Sequence, residues 1–281
     1  MMLIDPHTHS NESDGTDTPA QLMQGAARAG LAMVGLTDHD VTFGWEEAGA
    51  AVPETGVALL RGMEMSCAWE GITVHMLSYL HDPADPDLLA AARKTIDSRE
   101  NRARIMVERI SQDFPITWDD VLRYAPEDGA IGRPHIADAL VAAGSFENRN
   151  QAFEYVLHPR GPYYYFHWAQ DPVVAVQQIR AAGGVPVIAH PLARQRQRVL
   201  PMSVLADLVD AGLAGFETNH PDHTEADAQI LRDLAAKHGI FITGSSDYHG
   251  TGKPNRLAQN TTPLEVIEEI ERQGKLDIIR P

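Results

Sequence analysis

Leu3-Ile4-Asp5-Pro6-His7-Thr8-His9 begins as an apolar strand and runs directly into two histidines. At a spacing of two, an extended backbone sends both imidazoles to the same face, where one cation can take both. Further along the chain, seven more side chains of metal-ligating type stand in or near apolar runs that read as strands: Asp14, His39, Glu64, His75, His190, Asp247 and His249. An isolated histidine is usually a hydrogen-bonded structural residue, and Ser13-Asp14-Gly15 alone reads as a turn. The ordered set describes a polynuclear metal hydrolase.

Around these residues the chain alternates strand and helix. A strand is expected at 2–5 and a helix at 19–29, capped by Thr18, opened by Pro19 and released by Gly30. A strand at 32–36 leads into Thr37-Asp38-His39-Asp40. Apolar runs at 57–65 and 72–80 carry Glu64 and His75, and the short Trp69-Glu70-Gly71 link suggests a hairpin-like connection. From 85 to 168 the pattern turns helical and rich in basic residues, with Arg93, Lys94, Arg99, Arg102, Arg104 and Arg109. The alternation resumes with helices at 172–182, 202–211 and 224–238. Strands at 185–189, 213–216 and 240–243 lead to His190, to Glu217-Thr218-Asn219-His220 and to Ser246-Asp247-Tyr248-His249. The expected organisation is a barrel domain of residues 1–84 and 169–281, interrupted by a helical, substrate-capping insertion of residues 85–168.

A length of 281 residues fits one α/β barrel, and a 43% hydrophobic share supports a large buried core. No segment approaches the roughly 20 apolar residues of a membrane span. No secretory signal precedes the first strand, and Cys67 is the sole cysteine, so a reducing cytoplasm is the expected location. Cys67 itself reads as a small buried hydrophobe. A net charge of -16 argues against gripping a long nucleic-acid polymer.

His-x-His near the start, Asp38-His39 after the second strand and Asp247-x-His249 near the end, in that order, resemble the PHP family, the polymerase and histidinol phosphatase domain. The resemblance covers residues 2–80 and 183–250. Gly132-Arg133-Pro134-His135 is similar to the phosphate-contacting motif of a phosphoesterase subgroup. It implies an α/β fold, a distorted TIM-like (βα)7 barrel with ligands at the C-terminal strand ends, and three divalent metal ions. In that arrangement His7, His9, Glu64 and Asp247 hold one ion, Asp14, His39 and His249 a second, and Glu64, His75 and His190 a third. Glu64 then bridges two ions through its two oxygens. Imidazole and carboxylate ligands without thiolate suit Mn, Fe or Zn. Three dications exceed the carboxylates Asp14, Glu64 and Asp247 by three positive charges, so the loaded pocket is cationic.

Arg133 offers a planar fork for phosphate and His135 a donor to the phosphoryl group or leaving group. Alternatively, Gly132-Arg133-Pro134 only starts a helix over 136–142. Arg194 and His220 follow strands on the same face and are further substrate-contact candidates, with Arg196 and Arg198 competing with Arg194. The aromatic run 163–168 either stacks on a nucleobase or packs the insertion onto the barrel. His81, His158, His167, His223 and His238 read as structural. The expected function is a metal-dependent phosphoesterase acting on small nucleotides, nucleoside mono- or 3′,5′-bisphosphates or short oligoribonucleotide ends, through a hydroxide shared between metals. The alternatives are a histidinol-phosphate phosphatase, a metal-dependent amidohydrolase and a non-catalytic binding domain.

Overall fold

The computed structural model describes residues 2–126, 131–166, 168–194 and 198–281; His167 and Arg196 therefore fall outside the described residues. Seven strands form one sheet in sequence order: β1 (Ile4–Thr8), β2 (Met33–Leu36), β3 (Ala58–Trp69), β4 (Ile72–Tyr79), β5 (Val185–Ile188), β6 (Gly215–Asn219) and β7 (Phe241–Gly244). The segment after β7 returns to β1 through a Thr8–Tyr248 bridge and through His9 N–H to Tyr248 O at 2.9 Å, which nearly closes the barrel. All neighbours are parallel except β3–β4 and β4–β5. The reversal occurs at Glu70-Gly71, both with positive φ (44° and 75°), so β3 and β4 form a true hairpin.

The helices are α1 (Pro19–Arg28), α2 (Trp45–Ala50), α3 (Val52–Thr55), α4 (Pro86–Ile110), α5 (Trp118–Leu122), α6 (Arg133–Ala142), α7 (Arg149–Tyr155), α8 (Pro172–Ala181), α9 (Met202–Asp210), α10 (Glu225–His238) and α11 (Leu264–Gln273). Their ends follow local chemistry. Thr18 and Thr224 form capping boxes on α1 and α10, Asp85 and Asp171 cap helices whose first residue is proline, and Gly239 closes α10 in the left-handed region. The short α2 and α3 and the C-terminal α11 carry no expectation from the sequence reading. Yet α11 buries Ile267 and Ile270, at the i, i+3 spacing of a helix face.

Strand residues alternate between two apolar clusters. Met65, Met76, Ile188 and Phe216 enter one; Leu60, Leu77 and Val187 enter the other. Between β4 and α8 the chain builds a separate cluster in which Ala103, Met106 and Ile110 of α4 meet Val121, Ile136, Leu140 and Ala152. Leu88 and Ala91, near the start of α4, belong to the barrel cluster, so this one helix spans both. Tyr163 and Tyr164 pack on the insertion's own core, and Tyr163 donates to Asp113, so this part of the aromatic run holds the insertion together, where packing onto the barrel or stacking on a nucleobase was expected.

β1 needs close approach by β2. A Cβ on Gly35 would lie 2.0 Å from the Pro6 carbonyl oxygen, and with that space clear the Thr8 hydroxyl donates to Gly35 O at 2.6 Å. This contact sets the register of the strand that carries His7.

Candidate metal centre

β1 extends further than its apolar start suggests, so His7 lies within the strand and His9 just beyond it. Their Nε2 atoms are 3.0 Å apart. His39 follows β2, Glu64 and His75 lie within the paired β3 and β4, His190 follows β5, and Asp247 and His249 follow β7. The loops after β5 and β7 achieve their placement with strained backbone, His190 at φ 31° and Asp247 at φ 53°.

Glu64, 1% exposed, stands at the centre. Its Oε1 faces His75 Nδ1 at 3.0 Å and His190 Nε2 at 3.2 Å. Its Oε2 faces His9 Nε2 at 3.1 Å, His39 Nδ1 at 3.2 Å and His7 Nε2 at 3.4 Å. Asp14 Oδ1 lies 3.1 Å from His249 Nε2, and its Oδ2 3.8 Å from His39 Nε2. Asp247 Oδ1 is 3.5 Å from each of His7 Nε2, His9 Nε2 and His249 Nδ1. All nine expected ligands thus converge on one cluster.

The donor set fits metal ions. Asp14 Oδ1, His39 Nδ1, His75 Nδ1 and His249 Nε2 are buried without a hydrogen-bond partner, a costly state that a coordinated cation relieves. Ligand atoms of His9, Asp14, His39 and His249 lie close enough to share one ion, as do those of His7, His9 and Glu64 and those of His39, Glu64 and His75.

Neighbouring groups set the imidazole tautomers. His7 Nδ1–H donates to Glu217 Oε1 at 2.9 Å, which turns the Nε2 lone pair towards the cluster. Glu217 also accepts from the His190 backbone N–H at 2.8 Å and from the Ser245 hydroxyl. His249 Nδ1–H donates to Asp247 O at 2.9 Å, again freeing Nε2. Burial opposes charge on His7, but Glu217 and Glu64 outweigh it and hold its pKa well above the ordinary value, so a cation taken up at Nε2 would displace a proton there. Burial, aided by Lys253 and His9, pushes His249 down to about 4. Burial works against the ionised forms of Glu64 and Asp14, yet the surrounding imidazoles hold both well below the usual carboxylate range.

Asp14 sits on a loop braced from two directions. Asp38 accepts from Ser10 N–H at 2.8 Å and from the hydroxyls of Ser10 and Ser13 at 2.6 Å each. From the insertion, His135 Nε2–H donates to Ser13 O at 2.9 Å and Arg149 donates to Asp14 O at 3.2 Å. His135 Nδ1 accepts from Gly132 N–H at 3.0 Å. Both ring nitrogens of His135 therefore serve the backbone, so it acts as a tether where a phosphoryl donor was expected. Arg133 donates to Leu157 O at 3.1 Å and lies over the rings of Phe153 and Tyr164. Arg194 is half-exposed and its guanidinium binds Asp227 on α10 at 2.8 Å, away from the role expected for it.

His220 does reach the cluster, its Nε2 3.5 Å from Asp247 Oδ2. Because His220 Nδ1 accepts the Asp222 backbone N–H at 3.0 Å, the neutral ring carries its proton on Nε2. The proximity of His220, Asp222 and Asp247 would otherwise suggest a further ion; this tautomer makes His220 a donor. Cys67 is buried, and burial lifts its thiol pKa well above the ordinary value, as a structural cysteine requires.

Glu217 is a site residue that sequence reading left unassigned. The available signal was an acid directly after the apolar run 213–216; in the fold it lies within β6 and is 0% exposed.

A barrel of seven strands with a buried polyhistidine-carboxylate cluster defines a class, and the comparisons agree. The PHP domain model matches residues 5–131. A 3′,5′-nucleoside bisphosphate phosphatase of Chromobacterium violaceum is 34% identical over 100% of this chain and 99% of its own length. A 5′-3′ exoribonuclease of Haemophilus influenzae is 31% identical over 87% of this chain and 89% of its own. A structure from Bifidobacterium adolescentis, assigned as a metal-dependent phosphoesterase, superimposes with a TM-score of 0.95 at 41% identity, covering 97% of this chain and 96% of that one. The chain belongs to the PHP family. It is a metal-dependent phosphoric ester hydrolase built on a TIM-like barrel. Among the described residues, no helix is long and apolar enough to cross a membrane.

Proposed function

We propose that the protein releases phosphate from small nucleotides, with nucleoside 3′,5′-bisphosphates and monophosphates ahead of oligoribonucleotide ends. The observation that carries this reading is Glu64, whose two oxygens face separate groups of imidazoles, His75 and His190 on one side and His7, His9 and His39 on the other. A bridging carboxylate suits a polynuclear phosphoesterase. We assign His7, His9, Glu64 and Asp247 to one ion, Asp14, His39 and His249 to a second, and Glu64, His75 and His190 to a third, with Mn, Fe or Zn as the metals. When bound, divalent cations stabilise developing negative charge and make water acidic enough to attack phosphorus at neutral pH.

The chain's own groups supply orientation. Glu217 and the Asp247 carbonyl fix the tautomers of His7 and His249, and His220 presents an N–H at the Asp247 edge. Residues 85–168 act as a cap over the metals. Arg99 and Arg102, both buried on α4, and Arg133 at the start of α6 concentrate positive charge there. Desolvation, Arg133 and Arg99 together bring Arg102 down to about 9. Arg133 in this block is our candidate for a substrate phosphate. A net charge of -16 disfavours long polymers, and the relative from Chromobacterium violaceum carries the bisphosphatase name.

The test is phosphate release by Mn-loaded protein from 3′,5′-bisphosphorylated adenosine, AMP, histidinol phosphate and a short 5′-phosphorylated RNA. Selective release from nucleotides, lost in Asp247→Ala and strongly weakened in Arg133→Ala, is expected. Preference for histidinol phosphate, or hydrolysis persisting in folded Asp247→Ala, would overturn the reading.

A further inference from the structure

Lys253 stands against the metal centre, and neither the expected ligand set nor the fold explains it. Its Nζ lies 2.8 Å from Asp247 Oδ2, while its side chain is 26% exposed and that of Asp247 1%. The segment is fixed on both sides: Thr251 N–H donates to Thr16 Oγ1 at 2.8 Å, and Asn255 donates to Ser246 O at 2.7 Å. Lys253 is therefore held in place, one end of its side chain on a buried carboxylate and part of it open to solvent.

The two oxygens of Asp247 face different surroundings. Oδ1 looks towards His7, His9 and His249, and Oδ2 towards Lys253 and the Nε2–H of His220 at 3.5 Å. One donor, Lys253, thus bonds the outer oxygen of one ligand, and a second, the His220 Nε2–H, stands beside it buried and without a hydrogen-bond partner of its own. An ammonium next to a centre that gathers dications repels them, so in metal binding alone it is a liability. The sign reverses when the incoming ligand is an anion with several oxygens, because an ammonium has three donors and Asp247 is its one hydrogen-bonded partner among the described residues.

We propose that Lys253 is a substrate-contacting residue, receiving a non-bridging phosphoryl oxygen beside the His220 Nε2–H while it stays anchored on Asp247. This rests on the phosphoesterase reading and adds to it an anion-binding edge from the loop after β7, opposite in origin to the arginines of the insertion.

The test uses full-length, metal-loaded protein with inorganic phosphate as the probe. Phosphate affinity by calorimetry and metal content by mass spectrometry are measured for wild type, Lys253→Met, Lys253→Gln and Lys253→Arg. The expected result is unchanged metal content with phosphate affinity weakened about 10- to 100-fold in the Met and Gln variants, the loss of one charge-assisted bond, and largely recovered in Lys253→Arg. Unchanged phosphate affinity in folded Lys253→Met and Lys253→Gln would overturn the proposal. So would a loss of metal matching the loss of phosphate, which would make Lys253 only a positioning residue for Asp247. Wild-type protein that neither binds phosphate nor releases it from any ester would instead sink the phosphoesterase reading beneath it.

Discussion

Glu217→Gln isolates the second layer of the site, because it changes one atom type and almost no volume. Three donors converge on the native carboxylate: His7 Nδ1–H at 2.9 Å, the His190 backbone N–H at 2.8 Å and the Ser245 hydroxyl. A glutamine offers one oxygen and one NH2, so the NH2 must face a donor. The backbone N–H of His190 cannot reverse. The imidazole of His7 can, by moving its proton to Nε2, and that proton then occupies the lone pair that faces Glu64 and the cluster. Loss of a charge-assisted hydrogen bond costs about 1.5–3 kcal/mol, and loss of a ligand's orienting partner typically lowers metal affinity about 10- to 100-fold. Wild type and Glu217→Gln are to be titrated with Mn or Zn against a competing chelator, with circular dichroism as the check on folding. The expected variant is folded, binds less tightly by that factor at the ion we assign to His7, and regains part of its activity in excess metal. Native affinity in Glu217→Gln would refute the reasoning, since it would mean that Glu217 does not set the His7 tautomer.

Arg99→Met removes a buried cation whose Nη1 donates to Asp40 Oδ2 at 3.1 Å and Ser66 Oγ at 2.9 Å, leaving Asp40 buried. Breaking one side of such a pair costs about 3–5 kcal/mol, so thermal denaturation should show Tm lowered by at least about 6 °C, and a fall under about 2 °C would contradict the assignment. His81 is buried against Ser78, and burial lowers its pKa to about 4 from 6.5 in the unfolded chain. The unfolded state then binds more protons between those values, so stability falls as pH drops from 6.5 to 4, by about 3 kcal/mol in full. In His81→Asn, urea midpoints measured across this window should fall less steeply than in wild type, and an identical slope would exclude His81 as a source of acid sensitivity.

All the candidate metal ligands but Asp14 were legible because they sit in or next to a strand whose apolar run is itself legible, and because strand ends in a barrel share a face. His7 and His9, His39, Glu64 and His75, His190, and Asp247 with His249 each announce themselves within a few residues. Glu217 does not, since its meaning lies in a bond to His7 across 210 positions of chain. His135 shows the limit of a motif: Gly132-Arg133-Pro134-His135 marked the right place, but which way the ring faces is decided by Gly132 N–H and Ser13 O, and the second lies outside the motif. Arg194 was placed on the correct side of the barrel, yet Asp227, in the first turn of α10, captures it. The reversal of β4 was foreshadowed by Glu70-Gly71, whereas its antiparallel pairing with β5 depends on how the long insertion returns, which no local pattern encodes.

Asp14 offered the weakest sequence signal of the nine, a turn-like Ser13-Asp14-Gly15, yet it is the candidate ligand with the most elaborate external support. Asp38 grips the loop from the β2 end of the barrel, while His135 and Arg149 reach from α6 and α7 to the carbonyls of Ser13 and Asp14. Arg149 is in turn held by both oxygens of Asp138 on α6, at 2.6 Å each. Gly15 closes the loop against the backbone, where an added Cβ would meet His9 O at 2.6 Å. A ligand on a flexible turn would pay ordering entropy on binding metal; braced in this way, it meets the ion largely pre-set. It follows that the insertion contributes to the metal centre from outside it, through backbone carbonyls. A lesion in α6 or α7 should therefore reach the ion we assign to Asp14, His39 and His249 before it reaches the one we assign to Glu64, His75 and His190.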